Sequence, residues 1–258
     1  MTYWQAIVLG IVQGVAEFLP ISSSGHLVLV EALLNLHSEN MAFEIAVHVG
    51  TLLSIVVVFR RDLIGLLHLP RVMVAIVVAT LPVVFVGLFL KDHLERAFAS
   101  PLAAGIALCC TAIVLWVTQW FDQGSDDLHD VTLRQAFTVG LFQAVAPIPG
   151  ISRSGVTIVG GLLSGLNREA AARFSFLIAI PAILGAAVLE GASMIKSSHP
   201  IDEPWAVHLV GATVAFMVGV LALHGLLKVV AARKLHAFSW YCLAVGILTV
   251  AITTLNNR

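Results

Sequence analysis

The sequence predicts an all-α polytopic membrane protein: six transmembrane helices plus two re-entrant helix hairpins in an inverted-topology repeat. Three observations carry this. Of 258 residues, 59% are hydrophobic and 11% charged, with a mean hydropathy of +0.98. A soluble domain carries roughly 25% charged residues. Apolar stretches near the ~20 residues that a ~30 Å hydrocarbon core requires recur along the chain. Two further apolar regions are interrupted by Pro, Ser and Gly, and they resemble one another. This composition excludes an ordinary cytosolic globule and a disordered chain. Fourteen Lys+Arg against fifteen Asp+Glu give a net charge of −1, so nucleic acid is not a partner.

Taken in order, residues 3–36 form the first hairpin, broken at Pro20-Ile21-Ser22-Ser23-Ser24-Gly25-His26. Each half is too short to cross a bilayer comfortably. Spans follow at roughly 41–59, 72–90 and 101–121. Residues 133–165 form the second hairpin, broken at Pro147-Ile148-Pro149-Gly150-Ile151-Ser152-Arg153-Ser154-Gly155. Three more spans are expected at 171–195, 205–227 and 237–255. Proline removes a backbone donor and glycine permits unusual dihedrals, so both hairpins turn at these runs. Broken backbone at membrane depth survives only when buried in protein or lining a wet cavity. Charges gather between spans: Arg60-Arg61-Asp62 to Arg71, Lys91 to Arg96, Asp122 to Arg134, Lys196 to Glu203, Lys228 to Lys234. These read as solvated loops. Cys109, Cys110 and Cys242 have no disulfide or zinc spacing and read as small apolar helix residues. The first basic residue is Arg60, so the basic n-region of a signal peptide is missing.

The two hairpins align with an offset of 130. Gly10 meets Gly140, Gln13 meets Gln143, Ala16 meets Ala146, Ile21-Ser22 meets Ile151-Ser152, and Ser24-Gly25 meets Ser154-Gly155. The matches point to internal duplication. The chain is one membrane domain, 1–258, with repeats of about 1–121 and 122–258. Three spans separate the hairpins, so the hairpins enter from opposite faces and their tips meet near the midplane. Basic residues favour the cytoplasm. Placing the 60–71 loop there puts Arg60, Arg61, Arg71, Arg134, Arg168, Arg173, Lys228, Arg233 and Lys234 inside. Lys91, Arg96, Lys196 and Arg258 then lie outside, with the first hairpin and both termini.

Ionisable groups within a membrane are costly, by roughly 2.5–3.5 kcal/mol on insertion scales, and therefore informative. The first tip offers Gln13, Glu17, Ser22, Ser23, Ser24 and His26; the second offers Gln143, Ser152, Arg153, Ser154 and Thr157. Gln13 and Glu17 share a helix face. Arg153 is far from any interface and demands an anion, either Glu17 or a substrate phosphate. Helices beginning near Gly25-His26 and at 152–155 would aim unpaired N–H groups at that anion. Arginine binds phosphate bidentately. The serines equally suit helix caps, Glu17 and Arg153 a structural ion pair, and His26 a packing role. Glu44 and His48, spaced i,i+4, reach the cavity or pair locally; Glu190 sits near the outer end of its span.

Gly10-Ile11-Val12-Gln13-Gly14-Val15-Ala16-Glu17-Phe18-Leu19-Pro20-Ile21-Ser22-Ser23-Ser24-Gly25-His26 resembles the first signature of the undecaprenyl-diphosphate phosphatases of the bacitracin-resistance type. Pro149-Gly150-Ile151-Ser152-Arg153-Ser154-Gly155-Val156-Thr157 resembles the second, and residues 43–62 are similar too. The resemblance implies an integral phosphatase of the bacterial cytoplasmic membrane. Such an enzyme returns undecaprenyl diphosphate to the monophosphate for cell-wall synthesis and confers bacitracin resistance. It implies a homodimer, a site opening to the outer face, and a divalent cation, Mg²⁺ or Ca²⁺. It carries catalytic roles onto Glu17, Ser23, His26 and Arg153. Phosphate binding falls on Gln13, Ser22, Ser24, Ser152, Ser154 and Thr157, and metal binding on Glu17 and Gln13. Many members have Glu where this chain has Gln13, which leaves one deep carboxylate in the motif. Either Ser23 attacks the terminal phosphorus, with His26 or Glu17 as base, or Ser23 donates to phosphate while His26 attacks or activates water. The competing reading is a polyprenyl-phosphate flippase using the same inverted-repeat site.

Overall fold

The computed structural model describes residues 1–34, 36, 41–66, 68–90, 100–120, 124–197 and 204–256. These form eleven α-helices and one short 3-10 turn, with no strand among the described residues. The first hairpin is α1 (Tyr3–Ala16) and α2 (Ser23–Leu33). Then come α3 (Met41–Val58), α4 (Arg60–Leu66), α5 (Pro70–Phe89) and α6 (Pro101–Val117). The second hairpin is α7 (Leu133–Ala144) and α8 (Arg153–Leu163). The chain closes with α9 (Arg168–Ser197), α10 (Trp205–Ala231) and α11 (Ala237–Asn256).

Local chemistry explains the starts. Thr2 caps α1 through a reciprocal box with Gln5, and Thr132 caps α7 through the same box with Gln135. Each cap satisfies two N–H groups that the first turn leaves free. The two boxes stand 130 residues apart, the offset of the hairpins. Pro70 opens α5, and Pro101 opens α6 behind Ser100, whose hydroxyl accepts from Ala103 N–H. Proline suits the first turn because its missing donor has no partner there.

Five helices, α3, α5, α9, α10 and α11, are long and apolar enough to cross a membrane. The chain is therefore a multi-pass helical membrane protein. The expected span 101–121 is shorter: α6 has 17 residues, about 26 Å at 1.5 Å per residue. The four hairpin helices have 14, 11, 12 and 11 residues and fall well short of a ~30 Å core. The first break also comes earlier than expected. The chain leaves α1 at Glu17, and α2 begins at Ser23 rather than near Gly25-His26. The Arg60-Arg61-Asp62 run, expected as loop, begins α4. Its Asp62 pairs with Arg173 at 3.0 Å, and Arg173 pairs with Glu169 at 2.7 Å, which ties α4 to α9. The basic residues Lys91, Arg96 and Arg258, and the loop ends Asp122 and Glu203, lie outside the described residues.

Large apolar side chains also cover the outside, and polar ones enter the apolar core. Phe85, Phe89 and Leu221 face outward, while Gln13, Glu17, Gln143, Ser152, Ser154 and Thr157 are buried. Small residues bring the helices together, the usual device where lipid supplies no hydrophobic drive. A Cβ on Gly10 would stand 2.7 Å from the Gly211 carbonyl of α10, and one on Gly140 2.7 Å from the Ala79 carbonyl of α5. Equivalent positions of the two hairpins thus press against the backbones of α10 and α5. Helix α3 also packs on α10, where Ser54 Oγ donates to Phe216 O, and α6 packs on α11.

Candidate functional site

The site forms where the two hairpin tips touch. Ser22 is the N-cap of α2, with φ 70°, a conformation rare outside glycine. Its hydroxyl accepts from Gly25 N–H at 3.3 Å and from Gly150 N–H of the other tip at 3.1 Å. The strained residue therefore pins one tip to the other. Gly150 has φ +95°, which a side chain would resist, and a Cβ there would collide with the Ala104 carbonyl of α6. Thr111 of α6 holds the second tip from outside: its hydroxyl donates to Gly150 O at 2.7 Å and accepts from Ser152 N–H at 3.1 Å. Ser152 repeats the role of Ser22 by capping α8 and accepting from Gly155 N–H at 3.2 Å.

The first residues after these caps are Ser23 and Arg153, which are equivalent under the offset of 130. Both reach Glu17. Ser23 Oγ donates to Glu17 Oε2 at 2.7 Å, and Arg153 Nη2 donates to Glu17 Oε1 at 2.6 Å. Gln13 Nε2 donates to Glu17 Oε2 at 3.1 Å, one helical turn away. His48 of α3 places Nε2 4.0 Å from Glu17 Oε2, while its Nδ1–H donates to the Glu44 carbonyl at 2.8 Å. His48 therefore approaches Glu17 while bonded to the backbone of its own helix. Glu17 is 7% exposed and Arg153 14%, so their attraction is little screened. Their ion pair joins the two hairpins through residues 136 apart in sequence.

Two buried atoms at the cluster lack a partner among the described residues: Arg153 Nη1, a donor, and Gln13 Oε1, an acceptor. Such atoms are costly unless something fills them. A phosphate oxygen suits the first and a hard cation the second. No group of three or more His, Cys, Asp and Glu that could hold a metal occurs among the described residues. Gln13 Oε1 and the Glu17 carboxylate, whose two oxygens already meet Arg153 and Ser23, are the oxygen donors here that could contribute to the shell of a hard cation.

Other expected residues stand apart from the Glu17 cluster. His26 Nδ1–H donates to Ser22 O, and its Nε2 meets the Tyr241 hydroxyl of α11, each at 2.8 Å. No described hydrogen bond joins His26 to Glu17 or Ser23. Ser24 Oγ lies 3.4 Å from Ser22 Oγ, and Ser154 Oγ lies 3.3 Å from Ser152 Oγ. Thr157 is fully buried; its hydroxyl donates to Arg153 O and meets Ser175 Oγ at 2.6 Å, packing α8 on α9. Gln143, the counterpart of Gln13, donates to Ala79 O at 3.2 Å and stays out of the cluster. Glu190 is half-buried on α9. Thr111 and Tyr241 escaped the sequence reading. A hydroxyl on an apolar span carries no spacing signal, and both are distant in sequence from the residues they hold.

The family model described as bacitracin resistance protein BacA matches residues 6–248. An undecaprenyl-diphosphatase of Rhodopirellula baltica is 43% identical over 249 residues, covering 96% of this chain and 97% of that one. One of Carboxydothermus hydrogenoformans is 39% identical over 258 residues, with 98% of each chain covered. One of Korarchaeum cryptofilum is 41% identical over 266 residues, covering 96% and 98%.

Proposed function

The chain belongs to the bacitracin resistance protein BacA family, and from that premise we propose how its own residues perform the family's reaction. It is an undecaprenyl-diphosphatase. It hydrolyses undecaprenyl diphosphate to undecaprenyl phosphate and inorganic phosphate, recycling the carrier lipid for cell-wall synthesis and conferring bacitracin resistance. The relatives' common activity favours hydrolysis over lipid translocation.

The observation that carries the site is Glu17 bonded at once to Ser23 and Arg153 across two touching tips. The diphosphate settles at this junction. Arg153 Nη1, buried and unpaired among the described residues, binds a phosphoryl oxygen while Nη2 stays on Glu17. Ser23 Oγ attacks the terminal phosphorus and its proton passes to Glu17 Oε2. The bond to the bridging oxygen breaks, and undecaprenyl phosphate leaves. Water then attacks the phosphorus, the bond to Ser23 Oγ breaks as Oγ takes the proton back from Glu17, and phosphate leaves. The 2.7 Å bond supports Glu17 rather than His26 as the group that takes this proton. Ser22, Ser24, Ser152 and Ser154 line the tips. Ser22 and Ser152 are also structural caps, and Thr157 supports Arg153 by holding its carbonyl. Gln13 Oε1 and a Glu17 oxygen would hold Mg²⁺ or Ca²⁺, which would neutralise charge developing on the phosphoryl oxygens.

The layout of six spans and two re-entrant hairpins in inverted repeats belongs to this reading. The paired capping boxes and the equivalent seats of Gly10 and Gly140 support it. The bacterial inner membrane, a site open to the outer face, and a homodimer complete it. The homodimer rests on the family resemblance alone.

The test is phosphate release from undecaprenyl diphosphate by detergent-purified protein, with and without EDTA, beside Arg153→Ala and Glu17→Ala. Metal-dependent release lost in both variants is expected. Near-normal turnover in both would remove the site from the tips. Release unaffected by EDTA would remove the cation.

A further inference from the structure

The Tyr241 hydroxyl bridges α11 to the tip of the first hairpin, and nothing in the reaction above uses it. It lies 215 residues from His26 in sequence yet 2.8 Å from its Nε2. The two rings also stack, with centroids 5.6 Å apart and planes 11° apart. On the other side of the imidazole, Nδ1 lies 2.8 Å from Ser22 O. A carbonyl oxygen only accepts, so Nδ1 carries the proton. In the neutral ring Nε2 then holds the lone pair, and the Tyr241 O–H donates to it. Both ring nitrogens and the ring face are thereby fixed. The Ser22 carbonyl that receives Nδ1–H belongs to the strained residue whose hydroxyl pins the second tip. Rotation of the imidazole would disturb the same residue that joins the hairpins.

We propose that Tyr241 is a positioning residue for the hydrolysis: its hydroxyl and ring hold His26 with the proton on Nδ1 and the lone pair on Nε2 at the rim of the tip junction. This rests on the reading that places the reaction at the tips, and adds to it that His26, bonded to the Ser22 carbonyl beside the attacking Ser23, takes part. Tyr241 acts through His26 and touches neither Glu17 nor Ser23 by any described bond. Its position on α11 makes the last helix a wall of the site.

The experiment combines a double-mutant cycle with a direct readout of the ring, both on the full chain in detergent. Tyr241→Phe keeps the ring and removes the hydroxyl. About tenfold loss in kcat is expected, with KM within about twofold, because the substrate phosphates are held by other groups. In a His26→Ala background the same change is expected to do nothing further. Nitrogen-15 NMR of histidine-labelled protein is expected to show His26 as one tautomer in the parent and as a mixture in Tyr241→Phe. Equal loss from Tyr241→Phe in both backgrounds would overturn the proposal, since the tyrosine would then act on packing alone. So would an unchanged tautomer in the variant. Full turnover by His26→Ala would remove His26 from the reaction and the proposal with it. Loss of activity in Arg153→Ala would still stand in that case, which separates this failure from that of the site as a whole.

Discussion

Glu17 concentrates the energetics of the site. A carboxylate this deep is costly unless paired and hydrogen-bonded, and its oxygens meet Arg153, Ser23 and Gln13. Removing one partner of a buried ion pair typically costs about 3–5 kcal/mol, because the other charge stays behind. Glu17→Gln is therefore expected to lower the thermal midpoint as well as activity, with Arg153 left uncompensated. Ser23→Ala separates the two effects. Its hydroxyl is only half-buried, and its loss leaves the ion pair intact. The thermal midpoint should hold while phosphate release falls by at least about 10²-fold, the usual loss when a nucleophile and base pair is broken. Activity above a tenth of the parent in Ser23→Ala would exclude it as the attacking group. Glu17 and Arg153 were legible in the sequence because deep charge is rare. Their contact was legible only as a possibility, since a substrate phosphate could equally have answered Arg153. Ser22 was legible as one of three adjacent serines; only the backbone reveals that it holds both tips.

At the scale of elements, long apolar runs locate the helices and small residues decide how closely they meet. The five long spans follow hydropathy, which length alone reads well. Proline opens α5 at Pro70 but does not break every helix it enters. Pro82 and Pro181 lie inside α5 and α9, whereas the first hairpin breaks at Glu17, before Pro20. Neighbouring helices re-satisfy the freed carbonyl inside a bundle, so proline marks a break only where tertiary partners let the chain turn. The offset of 130 was visible as scattered identities and becomes physical in the packing. Gly10 and Gly140 each press a backbone carbonyl, of α10 and α5 respectively. Alanine at either position is expected to destabilise by about 1–3 kcal/mol, since backbone must move to admit it. Alanine at Gly225 on α10, where nothing lies within 4 Å, is the control and should be neutral or slightly stabilising. Thermal unfolding in one detergent compares the three. A tolerated Gly140→Ala beside a damaging Gly10→Ala would mean that only one hairpin depends on its close seat.

Across the whole molecule, α4 and the start of α9 bring Arg61, Asp62, Glu169 and Arg173 together. The Asp62–Arg173 pair joins α4 to the start of α9, and the Asp126 backbone bridges to Leu166 beside it. These contacts gather α4, the 124–132 segment and the start of α9. The proposed inverted repeat, with three spans between the hairpins, would keep these three segments on one face only if α6 crosses. At 17 residues, α6 can do so by thinning the bilayer locally or by leaning on the turn at its end. The shortness of α6 thus makes topology the measurement on which the inverted repeat depends. Replacing Cys109, Cys110 and Cys242 yields a background for single reporters. Thr2→Cys, before α1, should react with a membrane-impermeant maleimide added to intact cells. Arg61→Cys and His129→Cys should react only after permeabilisation, and they should do so together. If His129→Cys labels from outside while Arg61→Cys does not, α6 does not cross and the hairpins enter from one face. The diphosphate would then not settle between tips that enter from opposite faces. Joint protection of both positions would support the proposed layout, in which Ser23 and Arg153 reach Glu17 from hairpins that enter from opposite faces.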